Sequence, residues 1–159
     1  MVVENILKKI NKVDDKTLIQ FLLIISDVNK SLTDLKIALS KEKCFTNIKT
    51  NCGIYTRGDG PVEISLGIDV GLIKPLDNNL HSVGMSFRIL KKNGMWNYNS
   101  EIGWSRYDLG FDEVDSVEKS FESIETLLNE LNAEFSLLRK KYLVLLKDYK
   151  SSSFGNGSE

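Results

Sequence analysis

The chain has few of the residues that most often carry chemistry. Its 159 residues contain one histidine, His81, and two cysteines, Cys44 and Cys52. A zinc site built on the two thiols would need two further ligands, so no metal is expected. Disulfides are rare in reducing compartments, and the pair reads as two reduced thiols. No Gly-rich phosphate loop, nucleophile elbow or paired-histidine helix motif appears in the sequence, so no cofactor is expected. With one histidine, in the turn-rich stretch KPLDNNLH, acid–base catalysis would rest on carboxylates such as Asp69 and Glu101. That would require one pKa raised by burial. Their strand neighbours on the same face are polar, which argues against an enzyme.

Charge of one sign is missing too. Lys and Arg number 21 against 22 Asp and Glu, for a net charge of −1. Such a balance gives no general attraction to nucleic acid or to an anionic membrane, and neither is expected as a partner. The longest apolar run, LIQFLLII from Leu18 to Ile25, is interrupted by Gln20 and is far short of a membrane span. The N-terminal stretch MVVENILKKINKV has no long uncharged apolar run and no small-residue cleavage site. A cytoplasmic location is expected.

Ordinary globular content remains, with 42% hydrophobic and 27% charged residues. One domain over 1–150 is expected, followed by a Ser/Gly-rich flexible tail over 151–159. Val3, Ile6, Leu7, Ile10 and Val13 share one helical face and predict a short helix over about 2–13. Asp14-Asp15 reads as the N-cap of a second helix over about 15–42, where Leu18, Phe21, Ile25, Val28, Leu32, Leu35 and Leu39 form a heptad seam. A third helix is predicted over about 115–150. Its seam runs Val117, Phe121, Ile124, Leu128, Leu131, Phe135, Leu138, Tyr142, Leu145 and Tyr149, with Asp115 and Glu118 in capping-box spacing. Its acidic first half and basic end read as a solvated face that complements the helix dipole.

Between these helices the period becomes two. Val62, Ile64, Leu66, Ile68, Val70 and Leu72 alternate with Glu63, Ser65, Gly67, Asp69 and Gly71, the strand pattern. A weaker alternation from Ile48 to Ile54 precedes it, joined through a turn containing Arg57-Gly58-Asp59. Asn93-Gly94 is a strong two-residue hairpin signal and pairs Lys92 with Met95, continuing outward to Val83 with Trp104. Val83, Met85, Phe87, Ile89, Trp96, Tyr98, Ile102 and Trp104 then share one face, so the aromatic residues belong to a core and not to a base-stacking platform.

The expected fold is α+β, a four-stranded antiparallel meander over about 46–104 with one face covered by two long flanking helices. The helices are expected to pair through their seams in antiparallel fashion, or else to offer those seams to a homodimer. The open face would carry Glu63, Asp69, Arg88, Asn97, Asn99 and Glu101 among several glycines, with Arg88 diagonal to Glu101. Small residues there would let a partner approach closely. With the acidic residues Asp108 and Asp112 this face is the candidate contact surface. The expected function is a bacterial or phage protein that binds and occludes a protein partner, such as an immunity protein or an inhibitor of a host defence protein. Small-ligand or nucleotide binding on the same face, and assembly through the seams, remain as alternatives.

Overall fold

The Asn93-Gly94 turn sets the sheet register as its chemistry requires. In a computed structural model, which describes residues 14–56, 62–76 and 79–154, Asn93 and Gly94 have φ of 54° and 75°. Lys92 faces Met95, Lys91 faces Trp96, and the pairs run on to Val83 with Trp104. The described elements are α1 (Asp15–Ser40), β1 (Phe45–Thr56), β2 (Val62–Leu76), β3 (Leu80–Lys92), β4 (Met95–Arg106), β5 (Phe111–Phe121) and α2 (Ile124–Phe154). The strands form one antiparallel sheet in the order β1-β2-β3-β4-β5. The helix expected over 2–13 and the Arg57-Gly58-Asp59 turn lie outside the described residues. No helix among the described residues is long and apolar enough to cross a membrane.

The α+β class holds, and the strand number does not. Residues expected to open the third helix, including Asp115 and Val117, form a fifth strand at the sheet edge. Val117 and Phe121 are four residues apart, a spacing that fits both a helix face and alternate positions of a strand. The core-facing positions of β5 pair with Ile102, Ser100, Tyr98 and Trp96, and they are Asp115, Val117, Lys119 and Phe121. Two of the four are charged, so the period of two is hidden. Both charges are met by α2: Lys119 binds Glu134, and Lys141 binds Asp115 at 2.5 Å. Those residues of the expected dipole-complementing run are therefore tertiary links. The cap moves accordingly from Asp115 to Ser123, whose Oγ accepts from the Thr126 N–H at 3.2 Å.

The fifth strand also reverses one helix. An odd number of antiparallel strands between α1 and α2 makes the two helices run the same way, where four would have made them antiparallel. Their C-terminal ends accordingly meet at one end of the sheet. There Lys150 binds Glu42 at 2.7 Å, and Tyr149 packs on Phe45 with ring centroids 5.8 Å apart. The Asn47 bulge (φ 48°) sits nearby, where β1 slips against β2 between Thr46 and Lys49.

Helix α1 lies over β1 and β2, and α2 over β3, β4 and β5. The seams are consumed inside the chain: Val28, Leu32, Leu35 and Leu39 of α1, and Leu128, Leu131, Phe135, Leu138 and Tyr142 of α2, are buried with the apolar sheet face. Trp96 and Tyr98 belong to this core. Tyr142 reaches the Val83 carbonyl with its hydroxyl at 2.8 Å. Tyr98 has no hydrogen-bond partner, and burial pushes its phenol up to about 12, a rise that the nearby Ser100 hydroxyl tempers.

Candidate functional site

Both described helices cover the same side of the sheet, and no described element covers the other. Strand pairing lays its residues out in rows. Lys49, Asp69, Gly84, Gly103 and Glu113 form one row from β1 to β5. The next holds Asn51, Gly67, Ser86, Glu101 and Ser116, and the one after it Ser65, Arg88, Asn99 and Glu118. Glu63, Leu90, Asn97 and Ser120 follow. Six of the residues picked from sequence, Glu63, Asp69, Arg88, Asn97, Asn99 and Glu101, thus share one surface. Asp108 and Asp112 sit apart, at the β4–β5 turn, where both bind Arg106. The Arg106 guanidinium and the Gly110 N–H hold the Asp108 carboxyl below its usual range.

The pairings within the face differ from the expected ones. Arg88 leans toward Glu63 on β2, at 4.0 Å, and Glu101 accepts instead from the Ser86 hydroxyl at 3.4 Å. Asn97 is held by Ser120 at 2.8 Å and by the Met95 carbonyl at 3.2 Å, while the buried Oδ1 of Asn99 has no partner. The glycines are also not open ground. A Cβ on Gly67 would lie 2.9 Å from Asn51 Oδ1, one on Gly84 3.2 Å from Asp69 Oδ1, and one on Gly103 2.5 Å from the Phe111 ring. Each glycine makes room for a neighbouring side chain to lie flat across it.

Among the described residues two hollows lie between these overlying side chains. One, of about 150 Å³, is bordered by Asn51, Asp69, Gly84, Ser86, Glu101 and Phe111. The other, of about 240 Å³, adjoins it through Glu101 and is bordered by Arg88, Asn99, Glu113, Ser116 and Glu118. Sequence reasoning missed Asn51, Phe111 and Ser116, and took Glu113 as part of an acidic cluster with Asp108 and Asp112 without placing it on this face. Phe111, Glu113 and Ser116 lie on β5, which was read as partly helical, and Asn51 gains its place only through the β1–β2 register.

Asp69 is the most perturbed carboxyl of the face. Burial raises its pKa above the ordinary 3.8, while the Ser82 hydroxyl, His81 and Lys49 pull the other way. Ser82 stays outside hydrogen-bonding geometry and its hydroxyl has no partner. A carboxyl whose folded pKa exceeds its unfolded value binds more protons when folded, so its contribution to stability falls as pH rises through the folded pKa. Asp69→Asn is therefore expected to be more stable than the parent at pH 7. That difference should shrink as pH approaches 3.8, as urea melts at several pH values would record; an Asn variant less stable at pH 7 would refute this.

The turn beyond Asp108 has its own character. Four non-glycine residues among those described have positive φ: Asn47, Asn79, Asn93 and Leu109. Asparagine tolerates that region and leucine does not. Leu109, at φ 65°, is 97% exposed, and Tyr107 and Phe111 beside it are exposed as well. Arg106 braces the turn through its ion pairs and through an N–H bond to the Gly110 carbonyl at 2.9 Å. No protein-family model and no curated protein matches the sequence.

Proposed function

We propose that the protein is a non-catalytic binding protein that occludes a surface of a protein partner, docking through the bare face of its sheet and the adjoining β4–β5 turn. The observation that carries this reading is the placement of both described helices on one side, which leaves a polar five-stranded face that no described element covers. Ten residues by five strands span about 33 Å by 24 Å, or roughly 800 Å². A standard protein interface takes about that much from each partner. The excess of carboxylates over Lys49 and Arg88 on the face favours a basic partner surface. An immunity protein of bacterial origin, or a phage inhibitor of a host defence protein, is the biological role that fits such an occluding domain.

Leu109 supports the same reading. Its left-handed backbone costs about 1 kcal/mol relative to an asparagine, and at 97% exposure it returns no burial to the free chain. A large apolar side chain left in solvent on a turn that Arg106 braces gives the docking surface an exposed apolar point. Leu109→Asn is expected to melt at or above the parent temperature and yet retain at least tenfold less partner in affinity capture from native lysate. Glu101→Arg should lose the partner too, while Glu125→Arg, on the exposed side of α2, should keep it. Equal capture by all three variants would refute the proposal.

A further inference from the structure

Resting on that protein-binding reading, we propose that the hollow between Asp69, Glu101 and Phe111 takes a guanidinium group, the side-chain end of an arginine presented by the partner. At about 150 Å³ it is below the 300–1,000 Å³ of typical small-molecule sites, and suits the end of one planar side chain. Asp69 and Glu101 stand in adjacent rows, and neither makes a salt bridge with a described residue. Among the described residues Glu101 has only the long Ser86 contact of 3.4 Å. A guanidinium offers five N–H donors in one plane, which matches two carboxylates on either side of the Gly84–Ser86 stretch of β3. Phe111, lying across Gly103 at the border of the hollow, offers a ring for the cation to stack on.

A buried polar group also stands beside the hollow, next to Asp69. Ser82 shares the outward side of β3 with Gly84 and Ser86, and is 3% exposed. It lies close enough to Asp69 to act on its titration, and yet its hydroxyl has no partner. Buried polar groups are normally satisfied, and an orphan calls for an explanation. A donor group entering beside Asp69 would complete this cluster. It would also offset the desolvation that raises the Asp69 pKa.

The test is a backbone-amide NMR titration of the full chain with L-argininamide, its neutral isostere citrullinamide, spermidine, and a blocked Ala-Arg-Ala peptide. Argininamide should shift the Gly84, Ser86 and Gly103 amides saturably, and citrullinamide should not. Glu101→Gln and Asp69→Asn should each weaken binding at least tenfold with the amide spectrum otherwise intact. The peptide should bind at least threefold more tightly than spermidine, which marks a protein source for the cation. Spermidine binding as tightly as the peptide would assign the hollow to free polyamines and overturn the proposal. So would shifts that citrullinamide reproduces, or that survive both variants. If argininamide gives no shift while Leu109→Asn still abolishes partner capture, the guanidinium site fails and the protein-binding reading stands.

Discussion

Replacing Tyr142 by alanine is expected to lower stability by about 3–5 kcal/mol, the usual cost of deleting a large buried aromatic side chain. Tyr142 is fully buried, and its hydroxyl donates to the Val83 carbonyl at 2.8 Å, tying α2 to the middle of the sheet. The variant loses both the packing and that bond. Domains of this kind are stable by about 5–15 kcal/mol, so the loss is a large share of the total. At about 2–4 °C per kcal/mol for this chain length, the melting temperature should fall by roughly 10 °C. Tyr98→Phe makes the contrast. Tyr98 is as deeply buried, but its hydroxyl has no partner, and removing an unpaired buried polar group is near neutral or stabilising. A Tyr142→Ala variant that melts within about 3 °C of the parent would show that α2 is not anchored through this residue.

The second large effect is expected at Gly71→Val. Strand propensity alone favours the valine by up to about 1 kcal/mol. Geometry opposes it: a Cβ at Gly71 would lie 2.5 Å from the Thr46 carbonyl oxygen and 3.2 Å from its carbon. The obstacle is backbone, at the edge of the Asn47 bulge, so no side-chain rotation relieves it. Overpacking of this sort costs about 1–3 kcal/mol, and the two strands would have to separate or the bulge reset. The clash, with backbone that cannot rotate away, should win, with a net loss of about 1–2 kcal/mol in urea denaturation. Gly94→Ala isolates the other way a glycine matters. Nothing lies within 4 Å of its Cβ position, and its φ is 75°; a loss of about 1 kcal/mol there would come from backbone conformation alone. A Gly71→Val protein as stable as the parent would mean that β1 and β2 pair less closely at Thr46.

The sequence by itself determined every element whose own residues carry its pattern. The alternation from Val62 to Leu72 made β2, Asn93-Gly94 set the β3–β4 register pair by pair, and the seams from Val28 to Leu39 and from Leu128 to Tyr142 marked the covering helices. From that alternation and that register the polar set Asp69, Arg88, Asn97, Asn99 and Glu101 could be placed opposite the core. The tertiary structure decided the rest, because there the pattern depends on a distant partner. Strand β5 turns Asp115 and Lys119 toward the core side only because Lys141 and Glu134 of α2 meet them. With that strand hidden, the strand count was even and the helix direction came out reversed. The same loss concealed Phe111 and Glu113 on the open face. Periodicity reports how a segment meets an apolar core, and it is silent where the meeting is made by opposite charges.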